Sequence, residues 1–312
     1  MIQTPAFLDT QRPADVPNLV VPRGVTPFHL AGRPVRGRLV RLGPLADVLL
    51  TRRDLPAPIT RLGGEALALV AGLSAGLKFK GAFSLQIKGD GPVSTLVADC
   101  TDMGEMRLYI RADAETALAT PKELLGEGYF AFTIDQGAHT DRHQGIVAIT
   151  GDRMADMATH YFETSEQHAC WMRLFCTHTD AGWQAGGIIL ERIATEGGAS
   201  DLREDIEKDP WETACVLAET LSEGELFDPA LSAETLLERL FGTLDVMVGQ
   251  PRALSYGCRC SRAKLAGVLE NFPVEDLDHM AEDGTIVMTC DFCNIDFRFS
   301  RDEVGRHMQD EA

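Results

Sequence analysis

The chain has 312 residues, is 45% hydrophobic and carries a net charge of −18. It is long enough to bury a sizeable core in more than one domain, and its acidic balance argues against nucleic acids and anionic lipids as partners. No apolar run approaches the ~18 residues of a membrane-spanning helix. The N-terminus lacks the basic stretch and apolar run of a signal peptide, so we expect a cytoplasmic protein in a reducing compartment.

The N-terminal part predicts an arm followed by a mixed core. Residues 1–26 are rich in proline and show no periodicity, which predicts a loose arm, and the core domain is expected at 27–195. Within the core, 65–79 is a run of small and apolar residues typical of a buried helix. Apolar and polar residues alternate at 83–88, and the GDG turn with the returning segment 93–99 predicts a β-hairpin.

Further strands follow without regular alternation with helices. The predicted strands are 106–111, 129–134, 145–149, 171–176 and 186–193, and a helix is predicted at 152–165. Strands that come in runs favour the α+β fold class over a parallel α/β sheet. We therefore predict an N-terminal mixed core domain with β-sheets and packed helices, then a helical linker and a small C-terminal domain.

The segment 196–255 is predicted to be this linker and is strongly acidic. It contains fourteen acidic and four basic residues, which gives it a net charge of −10. Asp209 and Ser232 are placed as N-caps of two helices. The apolar stripes of these helices are Trp211, Cys215, Ala218 and Leu221 in the first, and Leu236, Leu237, Leu240 and Phe241 in the second. Because like charges repel, we expect these helices to lean on another domain.

The last predicted domain, 256–312, is small. Its predicted elements are a helix capped by Ser261, a helix that begins after Pro273, strands at 285–289 and 297–300, and a terminal helix that begins at the capping box Ser300-x-x-Glu303. A unit of roughly 55 residues has a thin core, and such units usually need a disulfide or a metal.

Four of the eight cysteines form two close pairs in this domain, Cys258-x-Cys260 and Cys290-x-x-Cys293, with 29 residues between the pairs. In a reducing compartment, paired cysteines more often bind metal or do redox chemistry than staple a fold. Four thiolates suit a tetrahedral zinc ion at ~2.3 Å, and an all-cysteine site is structural. The alternatives are a plain structural zinc ribbon and four unrelated buried thiols. Pairing at both ends of the domain argues against the second.

The C-x-C pair favours a redox switch over a plain ribbon. Zinc ribbons mostly repeat C-x-x-C, whereas a disulfide between Cys258 and Cys260 would close a small, strained and therefore labile ring. Zinc-bound sulfurs are thiolates, the form that oxidants attack. Oxidation could then join Cys258 to Cys260 and Cys290 to Cys293 and eject the metal. Because metal binding contributes of order 10–16 kcal/mol to folding in zinc-finger peptides, the domain should then unfold.

The same residues carry a family resemblance. The run "CRCSRAKLAGVLENFPVEDLDHMAEDGTIVMTCDFC" resembles the zinc domain of the heat-shock protein 33 family of chaperonins, which are bacterial redox-regulated holdases. "FSLQIKGDGPVSTLVAD", "EMRLYIRAD" and "AGGIILERI" extend the resemblance to about 27–308. This chain departs from the family in its Pro-rich segment 1–26 and in four extra thiols. The extra thiols, interpreted as small buried hydrophobes, are Cys100, Cys170, Cys176 and Cys215.

The resemblance implies an ATP-independent chaperone that is inactive when reduced and zinc-bound. The four paired cysteines would be both the Zn²⁺ ligands and the redox disulfides: Cys258, Cys260, Cys290 and Cys293. Under oxidative stress, the two disulfides would form, zinc would leave, the linker would become disordered, and the exposed surface would bind unfolding proteins. Linker residues expected to contact clients are Trp211, Leu217, Leu221, Leu237, Leu240 and Phe241. The expected partners are unfolded or oxidatively damaged proteins, with a possible homodimer when oxidised, and no nucleic acid or membrane.

Two other classes of function fit less well. A zinc-ribbon nucleic-acid-binding protein needs a basic face, but acidic residues outnumber basic ones around the cysteine pairs. An enzyme is not expected, because a four-cysteine zinc has no open position and the C-x-x-C does not lie in a thioredoxin-like pattern. His139 and His143 have zinc-protease spacing without the following glutamate, and the turn at 89–92 lacks the Lys-Ser/Thr of a phosphate loop. Both stretches are therefore predicted to be loops.

Overall fold

The computed structural model describes residues 5–113, 120–135, 143–193 and 209–304. The chain forms two compact units: a core unit from Leu19 to Gly257, and a cysteine unit that combines the residues up to Asn18 with those from Cys258 onward. The predicted arm is thus divided between the units, and the described part of the predicted linker belongs to the core unit. Among the described residues, no helix is both long and apolar enough to span a membrane.

The core unit is built on one mixed sheet. Its strands are β1 (Val20–Leu30), β2 (Val35–Arg41), β3 (Ala82–Gly89), β4 (Val93–Thr101), β5 (Glu105–Ala112), β6 (Gly128–Asp135), β7 (His143–Ala148), β8 (Cys170–Thr179), β9 (Gly182–Arg192), β10 (Val246–Val248) and β11 (Arg252–Tyr256). Their order is β7-β6-β3-β4-β5-β11-β1-β2-β9-β8, with β10 paired to β1. These pairs are antiparallel except for β5 and β11, which run parallel. The α+β prediction is confirmed.

The helices of this unit are α1 (Pro44–Leu50), α2 (Ala57–Ser74), α3 (Pro121–Leu125), α4 (Met154–Tyr161), α5 (Pro210–Glu219), α6 (Glu223–Phe227) and α7 (Ala233–Phe241). Helix α2 packs so closely on the sheet that a Cβ added at Gly72 would lie 2.5 Å from Cδ1 of Ile189. It is the helix predicted at 65–79, but it begins at Ala57. The reason is that Pro58, in the first turn, suits a helix start.

The predicted hairpin is present as β3 and β4, which pair antiparallel. Phe83, Leu85 and Ile87 are buried, and more exposed residues alternate with them, as period 2 predicts. The other predicted strands correspond to β5 to β9. The helix predicted at 152–165 changes after α4 into a π-helical turn at Phe162–Glu166, which ends at Gln167 in a left-handed conformation.

Strand β1 occupies the last part of the predicted arm. Pro22 and Pro27 make this stretch unlike a strand, because proline has no N–H to donate. The pairing of β1 with β11 shifts register between Val21 and Val25, around Pro22, and the carbonyl of Pro27 accepts a hydrogen bond from the N–H of Gly249 at 2.8 Å. From Val20 onward, the prediction of a loose arm is wrong, because distant strands supply the partners of this stretch.

The linker helices α5, α6 and α7 pack on one face of β1, β2 and β9. The shared apolar cluster consists of Phe28, Leu30, Val35, Leu39, Ile188 and Leu190 from the strands, and Ala214, Ala218, Leu221, Leu226, Leu231, Leu236, Leu237, Leu240, Phe241 and Leu244 from the linker. The side chains of Asp209 and Ser232 accept hydrogen bonds from the N–H groups of Trp211 and Thr235. Both predicted helix starts are confirmed, and these helices do lean on the core.

The cysteine unit holds a 3₁₀ turn at Ala6–Leu8, helices α8 (Arg262–Leu269) and α9 (Val274–Met280), and a hairpin of β12 (Thr285–Thr289) and β13 (Asp296–Ser300). Its apolar interior includes Leu269, Leu277, Ile286, Phe297 and Phe299. The hydroxyl of Ser261 caps α8 as predicted. Residues 301–304 form turns and a bend, and the rest of the predicted terminal helix lies outside the described residues.

Candidate metal centre

The C-x-x-C pair lies in the turn of the β12–β13 hairpin. The N–H of Cys290 donates to the carbonyl of Ile295 at 2.9 Å, and the N–H of Asn294 donates to the carbonyl of Cys290 at 2.8 Å. Asn294 adopts a left-handed conformation with φ of 55°, which asparagine tolerates better than most residues. This tight turn fixes the backbone on either side of Cys293 and brings its sulfur close to that of Cys290.

The C-x-C pair lies between strand β11 and helix α8. Ser261 follows Cys260 directly, and its buried hydroxyl accepts a hydrogen bond from the N–H of Lys264. The ammonium of Lys264 in turn donates to the carbonyl of Arg259 at 2.6 Å. The start of α8 therefore fixes the loop that carries Cys258 and Cys260.

The four sulfurs converge on one point. The Sγ atom of Cys258 lies 3.3 Å from that of Cys260 and 3.6 Å from that of Cys290, and the Sγ atoms of Cys260 and Cys293 are 3.5 Å apart. All four lie within 4.8 Å of one another. A regular tetrahedron of sulfurs ~2.3 Å from a zinc ion has edges of about 3.8 Å. The arrangement therefore fits a tetrahedral metal ion held by four cysteines.

The sulfurs already favour ionisation of part of the cluster. Hydrogen bonding with Cys260 lowers the pKa of Cys258 to about 7. Hydrogen bonding with Cys258 lowers the pKa of Cys290, whereas the same interactions raise the pKa of Cys260 and Cys293. Thiolates are the metal-binding and oxidant-sensitive form of cysteine. A cation of soft character, such as Zn²⁺, suits this donor set.

The other thiols differ from this cluster. Cys100, Cys170 and Cys176 are buried in the core unit. Burial raises the pKa of Cys170, and raises that of Cys176 to about 12. Cys215 is half-buried, and burial together with the carboxylates of Asp209 and Glu212 raises its pKa to about 11. Burial therefore favours the neutral thiol form of Cys170, Cys176 and Cys215, as expected of small hydrophobic residues.

The predicted client-contact residues lie at the boundary between linker and sheet. Leu221, Leu237, Leu240 and Phe241 are buried in the apolar cluster that the linker shares with the strands. Trp211 and Leu217 are partly buried against the same cluster. A role in client binding would therefore require the linker to move away from the sheet.

Sequence reasoning missed the arginines that hold the linker on the sheet. Arg41 in β2 donates to the carbonyls of Leu231 at 2.6 Å and Glu225 at 3.2 Å. Arg173 in β8 donates to the carbonyl of Glu219, the last residue of α5. Glu225 and Glu219 lie in the last turns of α6 and α5, where carbonyls lack partners and cationic groups are favourable. One feature of the sequence could have indicated the role of Arg41. Side chains alternate between the two faces of β2, so Arg41 lies on the same face as Leu39, which packs against the linker.

Ion pairs add to these contacts. Arg192 at the end of β9 lies 3.1 Å from the carboxylate of Asp209, the cap of α5. Arg23 in β1 pairs with Glu234 in α7. Both pairs are largely exposed, so each contributes about 0–1 kcal/mol. Together they direct acidic linker residues toward basic residues of the strands.

Two stretches remain from the sequence analysis: the histidine pair at 139 and 143, and the turn at 89–92. His143 is the first residue of strand β7, so the loop prediction is wrong at that position, and His139 lies outside the described residues. The turn at 89–92 joins β3 to β4 as a hairpin connection.

Comparison with known proteins shows the family. The sequence model of the family described as "Hsp33 protein" matches residues 24–300. The chain is 40% identical over 283 residues to the 33 kDa chaperonin of Caulobacter vibrioides, covering 86% of this chain and 92% of that protein. It is 33% identical over 281 residues to the 33 kDa chaperonin of Photorhabdus laumondii, covering 89% of this chain and 93% of that protein.

The fold is shared as well. The crystal structure of the 33 kDa chaperonin from Thermotoga maritima matches with a TM-score of 0.74 and 23% identity, over 90% of this chain and 96% of that one. The family match spans most of the sequence, and the Caulobacter and Photorhabdus relatives are covered over nearly their whole length. The chain therefore belongs to the Hsp33 family of chaperonins.

Proposed function

We propose that the protein is a redox-regulated, ATP-independent chaperone that holds unfolding proteins under oxidative stress. The observation that carries the proposal is the convergence of four cysteine sulfurs within 4.8 Å in a small unit of the chain. The names of its relatives support the chaperone function. The reduced, metal-bound protein would be inactive.

Cys258, Cys260, Cys290 and Cys293 would hold the metal, most suitably Zn²⁺, which when bound keeps all four sulfurs as thiolates. In our proposal, Cys258 pairs with Cys260 and Cys290 with Cys293. For each pair, two thiolates give two electrons to one molecule of peroxide, which takes up two protons from solvent, so that one disulfide and two molecules of water form. Pairing the sulfurs removes the ligand set.

Loss of the ligand set would unfold the cysteine unit, because metal binding supplies much of the folding free energy of such small units. Among the described residues, the interior of this unit contains few large apolar side chains; Phe299, Ile286 and Leu277 are among them. This leads us to infer that metal binding outweighs apolar burial in its stability.

The second step of the proposal is release of the linker from the sheet. Detachment of α5, α6 and α7 would expose the strand residues of the shared cluster, among them Phe28, Leu39 and Ile188. It would also expose Trp211, Leu217, Leu221, Leu237, Leu240 and Phe241 on the linker. Burial of apolar client segments against either surface would drive binding, at about 25 cal/mol per Å². The net charge of −18 would keep the complexes dispersed.

The test is light scattering of a chemically denatured client diluted into buffer. Peroxide-treated, metal-free protein should suppress aggregation, and the reduced, zinc-loaded protein should not. A variant with all four cluster cysteines replaced by serine lacks the ligand set and should suppress aggregation without peroxide. Any further change in this variant on peroxide treatment would report oxidation of the other thiols, Cys100, Cys170, Cys176 and Cys215. If parent protein suppressed aggregation equally in both states, the proposed switch would be rejected. Sedimentation of the oxidised protein tests the homodimer.

A further inference from the structure

The segment 5–18 is part of the cysteine unit although it lies before the residues that match the family. The family match begins at residue 24. The residues up to Asn18 nevertheless belong to the same compact unit as the four cluster cysteines. Ala6, in the 3₁₀ turn of this segment, is only 1% exposed. The cysteine unit therefore includes a packed N-terminal segment that the family match does not cover.

The segment caps the helix that follows the C-x-C pair. The carbonyl of Asp9 accepts a hydrogen bond of 2.8 Å from the N–H of Ala263, the second residue of α8. N–H groups in the first turn of a helix have no acceptor within the helix. The hydroxyl of Ser261 accepts from Lys264, and Asp9 supplies a further acceptor. The capped turn of α8 follows Cys260 directly in the chain.

A single carboxylate joins the segment to both other parts of the unit. One oxygen of Glu303 accepts a hydrogen bond of 2.7 Å from the N–H of Ala6, and the other accepts from Arg262 at 2.6 Å. The guanidinium of Arg262 lies 5.4 Å from the centroid of the Phe299 ring in β13. Hydrogen bonds to a partly buried carboxylate are stronger than neutral ones. The 3₁₀ turn, α8 and the end of the hairpin thus meet at Glu303.

We propose that residues 5–18 act as an intramolecular clamp that slows opening of the cysteine unit. The segment bridges the two parts, so separation of α8 from the hairpin must break the hydrogen bond of Ala6 or that of Asp9, and the clamp favours the closed form. A second consequence rests on the function proposed above: the clamp raises the oxidant dose needed for activation. Relatives that lack such a segment would open more readily.

The test compares the full chain with a variant that lacks residues 1–12, both reduced and zinc-loaded. Amide exchange of peptides from 262–300 and transfer of zinc to a chelating dye are measured without any client. Loss of two hydrogen bonds and of the Ala6 contact should speed both processes by about tenfold. Complete loss of exchange protection in 262–300, with protection in the core unit unchanged, would also support the clamp, as the extreme case of faster opening. A synthetic peptide of residues 1–12 should restore slow exchange.

A matched pair of point variants keeps the fold intact elsewhere. Ala6→Asp places a carboxylate at a buried position beside Glu303, whereas Leu8→Asp introduces a carboxylate in the same turn at a position that is 62% exposed. We expect Ala6→Asp to behave like the truncated chain and Leu8→Asp like the parent. Unchanged exchange and zinc transfer in the truncated chain and in Ala6→Asp, or equal acceleration in Leu8→Asp, would overturn the clamp.

The two proposals fail separately. Exchange and zinc transfer report on the clamp in the reduced protein alone. If the full chain did not suppress aggregation after peroxide treatment, the proposed function would be wrong, but the proposed clamp would be unaffected. If the parent switched but the truncated chain required the same peroxide dose, the link from clamp to activation would be wrong.

Discussion

The ring of Phe241 in linker helix α7 stacks on the ring of Phe28 in strand β1, with centroids 5.3 Å apart and ring planes inclined by 26°. Both rings are buried. The pair joins the element that we propose to detach and the sheet that it covers. Linker docking is thus a local folding equilibrium, in which apolar burial opposes the conformational entropy of the free linker. Single side chains at this boundary should shift it.

Replacement of Phe241 by alanine should release the linker without oxidation. Phe→Ala at a buried site costs about 3–5 kcal/mol, which is enough to populate an open linker. We expect faster protease cleavage within 209–257 and partial suppression of client aggregation by the reduced, zinc-loaded variant. The control is Val216→Ala on α5, where the side chain is 64% exposed. Equal cleavage rates for Phe241→Ala and parent would contradict the prediction.

Replacement of Cys258 by serine should weaken zinc binding and loosen the cysteine unit. Removal of one of four thiolates leaves an incomplete site, and metal binding supplies folding free energy here. We expect less than one zinc per chain after dialysis, fast amide exchange in 262–300, and partial activity without oxidant. Cys215→Ser, which changes a thiol outside the cluster, should keep its zinc and stay silent. A Cys258→Ser protein with full zinc content and slow exchange would refute the ligand assignment.

Replacement of Arg41 by alanine should loosen the linker through its backbone. The carbonyls of Leu231 and Glu225 lose their donor, at a cost of about 1–3 kcal/mol. We expect faster amide exchange in α6 and the start of α7, with smaller effects than for Phe241→Ala. Arg111→Ala, at an exposed position of β5, is the matched control. If amide exchange in both variants matched that of the parent, the contacts of Arg41 would not stabilise the docked linker.

Glu65 should make the core unit less stable as pH rises. Burial raises the pKa of Glu65 from its usual 4.5 to about 7, despite the nearby Arg153 and Arg61. The folded protein therefore holds the proton more tightly than the unfolded chain, so the free energy of unfolding falls between pH 4.5 and pH 7 and then levels off. Glu65→Gln cannot ionise and should exceed the parent by up to about 3 kcal/mol above pH 7, but not near pH 4.5.

Denaturant unfolding followed by tryptophan fluorescence measures this difference, because Trp171, Trp183 and Trp211 all lie in the core unit. Glu163→Gln, at an exposed position, is the control. Parallel pH profiles for the parent and Glu65→Gln would show that Glu65 ionises normally in the folded protein.

Local patterns in the sequence were enough to predict several parts of the structure. The alternation of Phe83, Leu85 and Ile87 predicts β3, and the caps Asp209 and Ser232 predict the starts of α5 and α7. These features depend on near neighbours along the chain: a strand's period, or a side chain that accepts a hydrogen bond from an N–H two or three residues ahead. Cysteine spacing likewise predicted the four residues whose sulfurs converge in the structure, because each pair is itself a local motif.

Contacts between distant residues were decided only in the tertiary structure. Strand β1 contains Pro22 and Pro27 and forms because β2 and β11 supply hydrogen bonds along its edges. The N–H of Ala6 meets Glu303 across 297 positions of sequence, and Arg41 meets the linker carbonyls across more than 180. No local period encodes such a pair. Its formation depends on which surfaces the packed core brings together, whereas turns, caps and cysteine motifs are specified within a few residues.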